Sequence, residues 1–122
     1  MTKPRKRVML VEDNAVYRST LALLLDGHEG IEIVGEAADG GQAAAAAALL
    51  QPDVVLLDFR LPGASGDEVA RLLMAASPGT RIVCLTAEAT VAERERVTAA
   101  GAIAIVEKGG STRAIFDAIR SV

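Results

Sequence analysis

Two hydrophobic periods alternate along this chain. Residues 7–12 (RVMLVE), 31–37 (IEIVGEA), 53–58 (DVVLLD), 81–86 (RIVCLT) and 102–106 (AIAIV) are short, largely apolar runs that predict strands. Three of them are nearly continuous, as expected where a strand is covered on both faces. Between them the period lengthens. Tyr17, Leu21, Leu24 and Leu25 make one helical stripe, and Ile115, Ala118, Ile119 and Val122 make another.

Capping signals punctuate the helical stretches. The alanine run 43–48 predicts a helix, because Ala is the strongest helix former, and Asp39 with Gln42 gives it a capping-box-like start. Ser65–Glu68 and Thr90–Glu93 predict fuller capping boxes, and Ser111 an N-cap, while Gly27 and Gly101 close two helices. Strand–helix alternation throughout predicts an α/β fold, a (βα)5 chain winding a parallel sheet with helices on both faces. Such sheets place their functional site outside the carboxyl ends of the strands.

At 122 residues the chain has room for one domain with its own core. That core must be aliphatic, since the aromatics are only Tyr17, Phe59 and Phe116. No apolar stretch is long enough to span a bilayer and no signal-peptide pattern opens the chain, so the expected setting is cytoplasmic, without membrane contact. Cys84 lies inside an apolar run and reads as a small buried hydrophobe. His28 lies beside Gly27 and Gly30 and reads as a loop residue.

The net charge of −3 is uneven: four of thirteen basic residues fall at positions 3, 5, 6 and 7, leaving nine against sixteen acids in the remainder. Residues 1–6 read as a basic, solvated arm ahead of a domain at 7–122. An acidic domain is poor electrostatic footing for nucleic acid, so no direct nucleic-acid contact is expected.

The strand ends carry the chemistry. The first delivers Glu12 and Asp13, the third Asp58, the fourth Thr86 and Ala87, and the fifth leads to Lys108. Clustered carboxylates repel unless they share a proton or a cation, and hard oxygen donors suit Mg²⁺. A metal, a carboxylate nucleophile and an ammonium are the equipment of phosphoryl transfer through an aspartyl-phosphate. Each residue also has a plainer role: Glu12 and Asp13 as helix-start acids, Asp58 as a turn acid, Thr86 as a β-branched strand end, Lys108 as a solvated charge. Their joint placement on one rim favours the chemical role.

In this order the motifs VEDN, DFRLPGASG, LTA and VEK resemble the receiver domain of bacterial two-component response regulators, over essentially the whole chain. Within that family the likeness of LTAEAT…AAGAIAIVEKGGS is to the branch linked to a LuxR-type helix-turn-helix output domain. The resemblance implies a flavodoxin-like doubly wound sheet, order 2-1-3-4-5. It further implies that Asp58 accepts a phosphoryl group from a cognate histidine kinase. Mg²⁺ would be held by Glu12, Asp13, Asp58 and the backbone carbonyl of Arg60. Thr86 would donate to the phosphoryl oxygen, Lys108 would pair with Asp58 and then with the phosphate, and Ala87 would leave room beside it. Arg60 and Glu88, two positions beyond Asp58 and Thr86, flank the site where side chains can gate an attacking water.

One departure matters. The family usually places a switch aromatic three residues before the lysine, and here Ile105 stands there. Phosphorylation is therefore expected to be read out differently, through the face of the fourth helix. Gly109 stands where many receivers have proline, which removes the expected cis bond.

The expectation is a phosphoacceptor switch, not a metabolic enzyme, controlling transcription through a DNA-binding domain outside this chain. Candidate self-association faces are the fourth helix with the last strand and last helix, or the first and last helices. A phosphorylation-independent interaction domain is the alternative that Ile105 favours. A flavin carrier would want ring-stacking aromatics and a Ser/Thr-rich phosphate loop. An aspartate-nucleophile phosphatase would want a second acid where Arg60 stands.

Overall fold

The computed structural model describes residues 5–122. The chain alternates β1 (Lys6–Val11), α1 (Ala15–Leu25), β2 (Ile31–Ala37), α2 (Gly40–Leu50) and β3 (Val54–Asp58). A small ribbon follows, β4 (Arg60–Leu61) and β5 (Ala64–Ser65), and then α3 (Gly66–Ala76), β6 (Arg81–Thr86), α4 (Val91–Ala99), β7 (Ala102–Glu107) and α5 (Thr112–Arg120). The five main strands form one sheet, ordered β2-β1-β3-β6-β7, in which every pair is parallel. This is the doubly wound order that the family resemblance implies.

Side-chain alternation explains the two helical layers, because successive residues of a strand face opposite sides of the sheet. Val8, Leu10, Val54, Leu56, Val83 and Leu85 face one way and pack with Leu21 and Leu25 of α1 and Ile115, Phe116 and Ile119 of α5. Met9, Val11, Val55, Leu57, Ile82 and Cys84 face the other, against Ala43 and Ala47 of α2, Val69 and Leu73 of α3, and Val97 of α4. The alanine run is thus a thin helix that lets α2 sit close to the sheet. Cys84 is fully buried, and that burial pushes its thiol up to about 12.

Several local expectations change. Leu24 is exposed, because Leu21 and Leu25 already fill the slots against the sheet. Lys6 belongs to β1 rather than to a free arm: it pairs with Ile31, and its ammonium reaches the Val122 carbonyl. Arg7 is anchored too, through the Gln51 and Leu50 carbonyls. Residues 1–4 of the basic run lie outside the described residues.

Of the three predicted boxes, Thr90–Glu93 closes fully. Asp39 caps α2 through the Gln42 N–H, while Gln42 reaches the Ala38 N–H instead of its own cap. Ser65 caps nothing, because its hydroxyl donates to the Glu68 carboxylate, the stronger charge-assisted bond. Ser111 caps α5 as expected. Two of the fold's glycines serve the site directly. Gly63, at φ +74°, turns the β4–β5 ribbon after Pro62. Gly66 starts α3 against Phe59, where a Cβ would lie 2.8 Å from the ring.

Candidate phosphoacceptor site

Five strand ends do not contribute equally to the rim. Asp58, the last residue of β3, is 5% exposed although it is an acid, and Glu12, one residue past β1, is 3% exposed. Asp13 stays exposed beside them. Oxygens of Glu12, Asp13 and Asp58 lie within 4.8 Å of one another. Lys108, following β7, spans the pair: its Nζ is 2.8 Å from Glu12 Oε1 and 3.3 Å from Asp58 Oδ2.

One ammonium among three carboxylates leaves the group short of positive charge. Burial, reinforced by the neighbouring Asp58 carboxylate and only partly opposed by Lys108, raises the Glu12 carboxyl to about 7. Partial burial pulls the Lys108 ammonium down, but its bond to Glu12 and the charges of Asp58 and Glu12 outweigh that and hold it above its ordinary value. Glu12 Oε2 is buried with no hydrogen-bond partner. An orphaned carboxylate oxygen of this kind calls for a proton or a cation. The residues present therefore fit a hard divalent ion such as Mg²⁺.

Of the remaining predicted residues, Ala87 and Arg60 line the same cleft of about 460 Å³ with Glu12, Asp13, Tyr17, Asp58 and Lys108, and the exposed Arg60 side chain stands at its mouth. Thr86 is buried at the end of β6, where its Oγ1 accepts the Glu88 N–H at 3.2 Å and keeps its own proton free to donate. Its carbonyl accepts the Lys108 N–H, which registers the lysine against the threonine. Arg60 donates its backbone N–H to Asp58 Oδ1 at 3.3 Å. Ile105 stands apart: it pairs with Cys84 in the sheet and packs, half-buried, against the α2–α3–α4 side of the core.

Three neighbours were not visible as site residues in the sequence. Tyr17 reads as part of the α1 core stripe, yet its ring lies 4.6 Å from Lys108 Nζ and walls the cleft. Its placement one helical turn beyond Asp13 is the signal that could have found it. Asn14 caps α1 by accepting the Tyr17 N–H, which fixes that wall. Arg18, also on α1, donates to the Glu12 carbonyl at 2.6 Å and so anchors the backbone that carries the acids.

Residues 8–120 match the family described as the response regulator receiver domain. The chain belongs to that family. It is 40% identical over 106 residues to a protein-glutamate methylesterase/protein-glutamine glutaminase of Anaeromyxobacter dehalogenans, covering 87% of this receiver and 31% of that protein. A LuxR-family two-component response regulator from Aurantimonas superposes with a TM-score of 0.89 at 31% identity, over 96% of this receiver and 84% of that chain. A response regulator from Burkholderia pseudomallei, solved with a phosphorylated aspartic acid and a calcium ion, matches with a TM-score of 0.84 at 25% identity, over 93% and 66% of the two chains. The receiver spans from about a third to about half of the curated relatives it matches. Among the described residues no helix is long and apolar enough to cross a membrane.

Proposed function

We propose that this receiver is a phosphoacceptor switch in which Asp58 takes a phosphoryl group from a histidine kinase. The observation that carries the reading is the Lys108 ammonium bridging two buried carboxylates, one at the end of the central strand β3 and one just past the neighbouring β1. An Asp58 oxygen attacks phosphorus in line, the new O–P bond forms, and the bond from phosphorus to the kinase imidazole breaks with its electron pair leaving on nitrogen. Glu12, Asp13, Asp58 and the Arg60 carbonyl would hold Mg²⁺, which supplies charge neutralisation at the phosphoryl oxygens. Lys108 leaves Glu12 and follows the charge onto the phosphoryl group, and the free Thr86 proton donates to one of its oxygens. Ala87 leaves that space open.

The output belongs to parts of the protein beyond this chain, and transcriptional control through a DNA-binding domain is the reading the LuxR-family likeness supports. The proposed setting is cytoplasmic. The reading is tested by incubating the protein with acetyl phosphate, with Mg²⁺ or with a chelator, and mapping the adduct by peptide mass. An Mg²⁺-dependent adduct on the peptide containing residues 54–63 is expected. A metal-independent adduct elsewhere, or none on folded protein, would contradict it.

A further inference from the structure

We propose that Arg60 is a second phosphoryl-binding side chain, and that its capture by the phosphoryl group releases the start of α4. The inference rests on Asp58 being the phosphoacceptor and goes beyond it. It supplies a route of readout that does not pass through residue 105.

Arg60 connects the two sides of the cleft mouth. Its backbone N–H is bonded to Asp58, so the residue is fixed at the acceptor. Its guanidinium lies 5.5 Å from the Phe59 ring centroid and reaches across the mouth to the β6–α4 connection. There Nη2 donates to the Glu88 carbonyl at 3.1 Å and to Glu93 Oε1 at 3.4 Å. That same Glu93 oxygen accepts the Thr90 N–H at 3.0 Å and closes the capping box of α4. One carboxylate oxygen thus joins the arginine of the acceptor loop to the first turn of α4.

The hold is weak by construction. The Arg60 side chain is 62% exposed and Glu93 16%, and the ion pair is long and single-handed. Such pairs contribute little in water. A phosphoryl group on Asp58 brings about two negative charges and three acceptor oxygens into the cleft that Arg60 already borders. Arginine's planar fork suits those oxygens better than one carboxylate oxygen at 3.4 Å. When Arg60 turns inward, the Glu88 carbonyl loses its donor and Glu93 loses its cation. The segment from Ala87 to Thr90, which also carries the backbone next to Thr86, is then held only by the bond between the Glu88 N–H and Thr86 and by the α4 cap.

No other described contact ties this loop to the acceptor loop by a side-chain charge. Ile105 has no polar tip and already packs against the core, so it offers no equivalent trade of hydrogen bonds.

The test is amide hydrogen exchange across residues 87–95, before and after phosphorylation with acetyl phosphate and Mg²⁺. Wild type and Arg60→Ala are compared at equal phosphoryl stoichiometry, confirmed by intact mass. Wild type should exchange on the order of fivefold faster in this segment once phosphorylated. Arg60→Ala should exchange at the faster rate from the outset and change little on phosphorylation. Glu93→Gln keeps an oxygen for the Thr90 N–H but weakens the pull on Arg60, and should fall between the two. Equal phosphorylation-induced acceleration in wild type and Arg60→Ala would overturn the proposal while leaving Asp58 as acceptor. Absence of any adduct on folded wild type would instead remove the acceptor reading, and this proposal with it.

Discussion

β3 and β7 each deliver one partner of the Asp58–Lys108 pair, yet they are opposite kinds of strand. β3 lies between β1 and β6 and is buried at every position, Asp58 included. β7 is one edge of the sheet, paired with β6 alone, and most of its residues are half-buried or exposed. The proposed acceptor therefore sits on a strand buried at every position, while the ammonium proposed to change partners sits beyond a less buried one, with its side chain 24% exposed. In the proposed function, that contrast pairs a fixed acceptor with an ammonium free to follow the phosphoryl charge. The same contrast holds across the cleft mouth. Lys108 holds buried Glu12 at 2.8 Å and buried Asp58 at 3.3 Å, whereas α4 is linked to the acceptor loop by one ion pair at 3.4 Å whose arginine side chain is 62% exposed.

The contrast can be broken first at its rigid end. Leu56→Ala, in a side chain 1% exposed between α1 and α5, should lower unfolding stability by about 3 kcal/mol in denaturant melts. The equivalent change at the exposed Ile103 of β7 should cost well under half of that. Comparable losses at both sites would mean the two strands are equally embedded.

The charge cluster gives the next effect. Glu12 has a folded pKa near 7, above that of an unfolded carboxylate. The folded state therefore holds the extra proton, so the Glu12 contribution is fully present below the ordinary carboxylate range. It is lost as pH rises from there through about 7. Without metal, chemical denaturation across that window should show stability falling with pH from this group, and Glu12→Gln should remove that slope. Mg²⁺ should bind with proton release and tighten with pH over the same window, which calorimetry in buffers of different ionisation enthalpy would read. Flat Mg²⁺ affinity from pH 5 to 7 would contradict the shared-charge account.

Two smaller effects sharpen the α4 end. Thr90→Ala removes the cap hydroxyl that accepts the Glu93 N–H and should cost about 1 kcal/mol, with the change in exchange confined to the first turn of α4. Ile105→Tyr restores an aromatic where the family usually has one. Phosphorylation-induced chemical-shift changes around α4 and any phosphate-dependent dimerisation should differ from wild type. Unchanged behaviour would show that residue 105 has no part in readout.

How much of this could be read from residues alone follows from where each signal lies. Asp58, Glu12, Thr86 and Lys108 were legible because each ends or follows an apolar run, and an apolar run fixes both a strand and its exit. Asp13 was legible by adjacency. Tyr17 was hidden because an aromatic at helical spacing looks like core, and only the packing of α1 beside Lys108 turns it into a cleft wall. The β4–β5 ribbon was invisible, since two residues per strand carry no period. The Arg60–Glu93 pair spans 33 positions and depends on tertiary placement of two loops, which no local pattern encodes. Ser65–Glu68 shows the reverse: correct spacing, but a hydroxyl that prefers to donate to the carboxylate rather than accept from the backbone.

The most direct test of the account is intact mass after incubation with acetyl phosphate and Mg²⁺, run side by side on wild type and Asp58→Asn. One phosphoryl adduct is expected on wild type and none on the variant, with both proteins folded by circular dichroism. An adduct of equal yield on Asp58→Asn would place the acceptor elsewhere and contradict the assignment of β3 as the strand that presents it.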